Sequence, residues 1–334
     1  MSGPPEAGRR RNRPIWDRWG RLRIASRQPV QPKVRTAVVT DSAAGLPAAW
    51  LAEAEDAPWF EMVPLSVLAG EEIFADGPEA EAALGIALAA GRPVKTSRPA
   101  PGVFERIYRN LESRGFAAVA SIHLSGALSG TVDAARLAAE KVGIPVHVLD
   151  TRTAGLAQGF AVQSAAAAAR AGEAPDAVLT AARRALADAE VRFFLPSLEQ
   201  LRRGGRIGAA ASWVGTMLSI KPLLAIRDGQ IVPIERIRTA ARAIPRLVEL
   251  TIRDARTRGE PRLAVHYFGN RSEADAIAGQ LRQALGGDAD VVVSPLPGSL
   301  AAHTGVGVLG VVVTGTRQGD DSPSTDTPFG LLST

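Results

Sequence analysis

The 334-residue chain contains no cysteine, two tyrosines and three methionines. Without cysteine there is no disulfide, thiolate nucleophile, iron–sulfur cluster or cysteine-ligated zinc. The four histidines, His123, His147, His266 and His303, have no metal-ligand spacing. No G-x-x-x-x-G-K-S/T segment occurs, and no G-x-G-x-x-G follows the first predicted strand, so the common nucleotide-binding loops are excluded. G-x-S-x-G and H-E-x-x-H are also missing. The acidic residues form no obvious general acid–base pair. The most apolar stretch, 154–170, is too rich in alanine and too broken by polar residues for a membrane span, and reads as a buried helix.

What is present suffices for a folded body. Hydrophobic residues make up 46% of the chain, and its length suits two domains. The net charge of +5 is unevenly spread. Residues 1–35 hold ten Arg or Lys against two acids, so the rest of the chain carries −3. The high isoelectric point therefore belongs to a leader and not to the fold, and no nucleic-acid partner is expected. The basic residues are thirty-five Arg and four Lys, which reads as a genomic compositional bias. The leader, residues 1–34, is expected to be flexible. It has no secretory core. Residues 15–24 place Ile15, Trp16, Trp19 and Leu22 at helical spacing among arginines. A short basic amphipathic helix there would suit transient contact with an anionic membrane or a partner groove, against the plainer readings of a loose leader or a mistaken start.

From Val34 onward short apolar strands alternate with helices, the mark of parallel βαβ units. A strand over 35–40 ends at Asp41-Ser42. The next strand is expected over 59–67, and Thr96-Ser97 falls in a loop. A strand over 117–122 precedes the loop 123–130, and Thr131 opens a helix. The division predicted is a first α/β domain over 35–165, a second over 166–315, and a flexible tail over 316–334. In the second, Asp228-Gly229 turns a hairpin. His303 opens a glycine-rich turn before the last strand.

Hydroxyls and glycines carry the candidate chemistry. Asp41, Ser42, Thr96, Ser97, Ser125, Ser129, Gly130 and Thr131 follow strands or sit in connecting loops, where parallel sheets bind ligands. Thr131 at a helix start adds free N–H groups suited to an anion. Ser125 and Thr131 serve equally well as helix caps. Gly204-Gly205-Arg206 offers a tight turn and a guanidinium that can reach an anion or brace a cleft, or else a surface arginine after a helix cap. Arg236 and Arg238 share a strand face or its exit. His303 can donate to an oxyanion, His123 flanks the same region, His147 reads as structural and His266 as ambiguous.

Taken in order, these pieces resemble the DegV family of bacterial fatty-acid-binding proteins. They are Thr40-Asp41-Ser42 with Leu46-Pro47, Val63-Pro64-Leu65, Asp76-Gly77, Lys95-Thr96-Ser97-Arg98-Pro99 and Leu128-Ser129-Gly130-Thr131. The second half adds the run from Leu198 to Gly208, Ile220-Lys221-Pro222, Asp228-Gly229, Arg238 and His303-Thr304-Gly305. The resemblance implies the EDD fold: a parallel-sheet first domain, a smaller α/β second domain with a mixed sheet, and a ligand cleft between them. It implies a long-chain fatty acid as ligand, with no intrinsic cofactor, metal or catalytic residue. Thr96, Ser97, Ser125, Ser129, Gly130, Thr131 and His303 would face the head group. Asp41, Ser42, Arg206 and Arg238 would serve the head group or docking of a separate ATP-dependent fatty acid kinase, which phosphorylates the carboxylate. A cytoplasmic location follows, with contact at the inner membrane face as an option. A stand-alone enzyme acting on a small carboxylate or phosphate at the same site is the alternative. The chain departs from the family pattern at Arg98, where a glutamine is common, at Thr151 for serine, and at Val306 for proline.

Overall fold

The structure, a computed structural model, describes residues 35–213 and 221–317; the expectations for the leader with its 15–24 helix, for residues 214–220 and for most of the tail lie outside the described residues. The first half runs β1 (Thr36–Asp41), a 3-10 turn (Ser42–Ala44), α1 (Ala48–Ala54), β2 (Phe60–Val63), β3 (Ser66–Ala69), β4 (Glu72–Ala75), α2 (Pro78–Ala89) and β5 (Val94–Ser97). It continues with α3 (Pro101–Ser113), β6 (Ala118–His123), α4 (Thr131–Ala139), β7 (Val146–Asp150), α5 (Leu156–Arg170) and α6 (Pro175–Ala187). The second half runs β8 (Glu190–Phe194), α7 (Glu199–Arg203), a 3-10 segment (Gly208–Trp213), β9 (Lys221–Arg227), β10 (Gln230–Ile237) and α8 (Ala240–Ala255). It closes with β11 (Arg262–Tyr267), α9 (Arg271–Leu285), β12 (Val291–Pro295), α10 (Gly298–Thr304) and β13 (Leu309–Thr314).

The first sheet has the order β2-β1-β6-β7, with every pair parallel. β1 and β6 are buried at every position, as strands covered on both faces must be. Their side chains still alternate between layers. Val38 packs with Ala161 and Val162 of α5, while Ala37 and Val39 pack with Phe104, Tyr108 and Leu111 of α3.

The second sheet has the order β10-β9-β8-β13-β11-β12, in which only β11 and β12 run parallel. Leu263 and Val265 of β11, with Leu309, Val311 and Val313 of β13, face the core under α8 and α9. Ala264 and Val312 face the other way, into a core that Leu156, Ala157 and Phe160 of α5 also enter. Helix α5 thus serves both sheets, its small Ala161, Ala165 and Ala169 turned to the first and its N-terminal turn to the second. Positions 165 and 166 lie inside this shared helix. Asp228 and Gly229 both have positive φ, 50° and 79°, the twist-matched geometry of a two-residue hairpin turn. No helix among the described residues is long and apolar enough to cross a membrane.

Two expectations are corrected. Residues 59–67 form β2 and β3 in different sheets, because Pro64 between them cannot continue a ladder. Thr96 and Ser97 are not in a loop but in β5, which pairs with β3 in a small antiparallel sheet, β4-β3-β5.

His266 holds the two halves together. Its Nδ1 donates to the Ser294 carbonyl at 3.2 Å and its Nε2 accepts the Leu156 N–H at 2.8 Å, an arrangement that requires the neutral ring. The ring lies flush against Gly45 and Gly155, where a Cβ would come within 2.9 and 3.0 Å of it. Burial pushes its pKa down to about 4. The unfolded chain therefore binds a proton that the native state refuses. Its contribution is complete above about pH 6.5 and is lost as pH falls toward 4, by about 3 kcal/mol in all. Asp76, whose carboxyl burial raises, acts in the opposite sense, so the readout is the difference between parent and variant. Chemical denaturation from pH 7 to 4 is expected to show the advantage of the parent over His266→Gln shrinking across this window. A pH-independent difference would refute the assignment.

Candidate functional site

A cavity of about 360 Å³ lies where the loops after β2, β6 and β7 meet the second sheet, α7 and α10. This is the carboxyl edge of the parallel sheet, where open α/β folds take ligands. Its size is within the range of about 300–1,000 Å³ usual for ligand pockets. The body is apolar: Val191, Phe193, Val312, Ile231, Leu201 and Leu300 are among its walls. Its polar lining includes Thr96, Ser97, Arg98, Ser129, Arg206 and His303, with His266, Ser299 and Thr304 also on the wall, and no Asp or Glu belongs to it.

Helix α10 presents His303. Its first turn packs on Asp76, whose carboxyl pKa is raised above the usual range by burial, against hydrogen bonds from Ser42 and from the Gly298 and Ser299 backbone. Ser42 Oγ donates to Asp76 at 2.8 Å and accepts the Leu65 N–H at 3.0 Å. At the other end of α10, His303 Nε2 lies 2.8 Å from Thr96 Oγ1. His303 Nδ1 is buried without a partner beside Gly204, where a Cβ would collide with the ring. Burial, reinforced by the charge of Arg206, lowers the His303 pKa to about 4, so the ring is neutral at physiological pH. His303 is thus a helical residue and not the start of a glycine-rich turn.

Arg206 bridges the two halves. Its Nε donates to the Leu128 carbonyl at 3.1 Å and its Nη1 to the Gly204 carbonyl at 2.5 Å. The turn it leaves has Gly205 at φ 70°, a conformation glycine adopts without strain. Arg98 lies across Gly130, where a Cβ would meet its guanidinium and come within 2.9 Å of its Cδ. Ser129 Oγ lies 2.9 Å from Thr131 Oγ1 at the start of α4.

Five of the residues singled out by the sequence lie outside the cavity wall: Asp41, Ser42, Ser125, Thr131 and Arg238. Ser125 Oγ donates instead to the Gly229 carbonyl at 2.7 Å, docking the hairpin turn of the second sheet onto the first half. Thr131 is buried beneath Ser129, and Arg238 is exposed after β10. Ser42 acts through Asp76. Asp41 is wholly buried, accepting from Ala43 N at 3.1 Å, Leu124 N at 3.1 Å and His123 Nδ1 at 2.9 Å. His123 does not flank the cavity: its Nε2 meets Ser121 Oγ at 2.7 Å, and Ser121 meets Tyr108 OH at 2.7 Å. Burial holds the tyrosine protonated. This serine–histidine–aspartate set copies the connectivity of a hydrolytic triad, yet all three residues have zero exposure, so it is a core hydrogen-bond chain. Sequence reasoning missed Asp76 and His266 as positioning residues. Only the step from Asp76 to Gly77, one of the family's short motifs, signalled the first.

The DegV family model matches residues 35–316. A DegV domain-containing protein of Streptomyces coelicolor is 43% identical over 279 residues, covering 83% of this chain and 97% of its own length. Among solved structures, a DegV family protein from Thermus thermophilus described as fatty acid binding superposes with a TM-score of 0.75 at 32% identity, covering 84% of this chain and 99% of that one. DegV from Bacillus subtilis, described as a fatty acid binding protein, gives a TM-score of 0.76 at 30% identity, covering 85% and 100%. With a match spanning nearly every residue of the two-sheet body and the cavity between its halves, this chain belongs to the DegV family.

Proposed function

We propose that this protein binds a long-chain fatty acid in the cavity and presents its carboxylate to a separate ATP-dependent fatty acid kinase, which forms the acyl phosphate. The observation that carries the reading is the contrast between an apolar body and a polar lining of hydroxyl, imidazole and guanidinium groups without a carboxylate. Each buried CH₂ of an acyl tail contributes about 0.8 kcal/mol. The carboxylate it drags from water needs donors in return. Thr96 and Ser129 supply them, with Ser97 and the Gly130 backbone at the same end. When His303 Nε2 carries the imidazole proton and donates to Thr96, the threonine hydroxyl is left to donate to the ligand. Fatty acid binding by the Thermus and Bacillus relatives supports the same ligand class here. The protein contributes no catalytic residue in this reading; Arg206 offsets charge that builds on the head group during transfer by the partner. Such a carrier works in the cytoplasm, collecting its ligand at the inner membrane face.

Native mass spectrometry of the full-length protein, followed by organic extraction, is expected to release a long-chain fatty acid. A protein that carries none and takes up none when it is added would overturn the reading. Thr96→Val and Ser129→Ala are each expected to weaken retention by about 1–3 kcal/mol, or roughly 5- to 150-fold in dissociation constant. Incubation with ATP but no second protein is expected to yield no acyl phosphate; turnover by the chain alone would favour the stand-alone enzyme. Because His303 titrates near 4, affinity for a fatty acid is expected to stay flat between about pH 6 and 8. A titration in that interval that vanishes in His303→Gln would show that the imidazole binds as a cation.

A further inference from the structure

The charges around the head group do not balance a simple carboxylate. Two guanidinium groups, Arg98 and Arg206, line the cavity, and no acid does. Arg206 has Nε and Nη1 engaged by backbone carbonyls, which neutralise none of its charge. Arg98 is exposed at the rim of the cavity and lies over Gly130, immediately before α4. A second hollow of about 350 Å³ opens beside this point. It shares Leu128, Ser129, Gly130, Arg206 and Ile231 with the main cavity and is otherwise edged by residues 126–127, Gly205, Gly208 and Gln230; no acid lines it, the nearby Asp150 carboxylate being occupied by the Gly126 N–H at 3.1 Å. A singly charged alkanoate therefore leaves one guanidinium balanced by solvent alone, and a lipid carrying a larger, doubly charged group would reach both the second cation and the adjoining hollow.

We propose that Arg98 is a specificity-determining residue that, with Arg206, makes the mouth of the cavity favour a doubly charged, phosphate-bearing lipid head group over a singly charged carboxylate. This rests on the lipid-binding reading above and adds to it a preference among head groups. Glycine at 130 is part of the device. Its φ of −76° is open to any residue, so the tight spot there is the Arg98 side chain and not the backbone.

The test compares an n-alkyl phosphate with the n-alkanoate of equal chain length on delipidated full-length protein, by calorimetry at about pH 8, where the phosphate is a dianion. The parent is expected to bind the alkyl phosphate more tightly by about tenfold at low salt, a margin that narrows as salt screens the second charge. Arg98→Gln is expected to abolish that margin, weakening the alkyl phosphate about tenfold more than the alkanoate, and Arg98→Lys to keep part of it. Gly130→Ala, which displaces the guanidinium, is expected to reduce the margin in the same direction. Equal affinity of the parent for both amphiphiles, or equal weakening of both by Arg98→Gln, would overturn the proposal and leave fatty acid binding standing. A parent that binds neither would overturn both.

Discussion

The contact between Thr96 and His303 joins groups 207 residues apart in the chain, and the polar lining of the cavity is organised around it. Threonine comes from an edge strand of the small sheet, histidine from the last short helix. The helix is held by Asp76, and Asp76 by Ser42 at the carboxyl end of β1. A chain of hydrogen-bonded groups thus runs from the centre of the parallel sheet to the place where a ligand head group would sit. The neutrality of His303 follows from the same enclosure, since a charged ring beside Arg206 would meet both desolvation and repulsion.

The cavity is a gap in the core shared by both sheets. Val191, Phe193, Leu201 and Val312 belong at once to its wall and to the packed cluster that includes α5. A gap of this kind forfeits dispersion contacts that a guest alkyl chain restores. Ligand binding and folding would be linked for that reason, an occupied protein being more stable than an empty one by mass action. His266 sits where the two halves meet, its neutral ring joining a strand of the second sheet to the first turn of α5. Stability and binding therefore share one boundary, and the groups that guard it are mostly uncharged at physiological pH.

Much of the fold was legible because its signals are local. Apolar runs such as residues 36–40 and 118–122 identified the central parallel strands, and Asp228-Gly229 identified its hairpin from two residues. The hydroxyl-rich segment from Ser125 to Thr131 was found by the same route, yet its members divide. Ser129 and Gly130 line the cavity, whereas Ser125 docks a hairpin and Thr131 supports Ser129. The β3–β4–β5 sheet was less visible because four-residue strands between prolines carry little periodicity. Asp41 looked like the best-placed carboxylate and proved to be sealed, since nothing in a strand's own sequence tells which of its end groups the neighbouring strand will cover.

The sequence alone determined the alternation of strands and helices, the absence of thiolate and nucleotide-loop chemistry, and, through an ordered set of short motifs, the family. Each depends on residue type and near-neighbour spacing, which the chain carries without folding. Tertiary structure alone decided which hydroxyls line the cavity, that His303 is uncharged and His266 a clasp, and that Arg98 lies beside Gly130 at the cavity. Those properties arise from burial and from pairings between distant segments, and both come into being only when the two sheets close on one another.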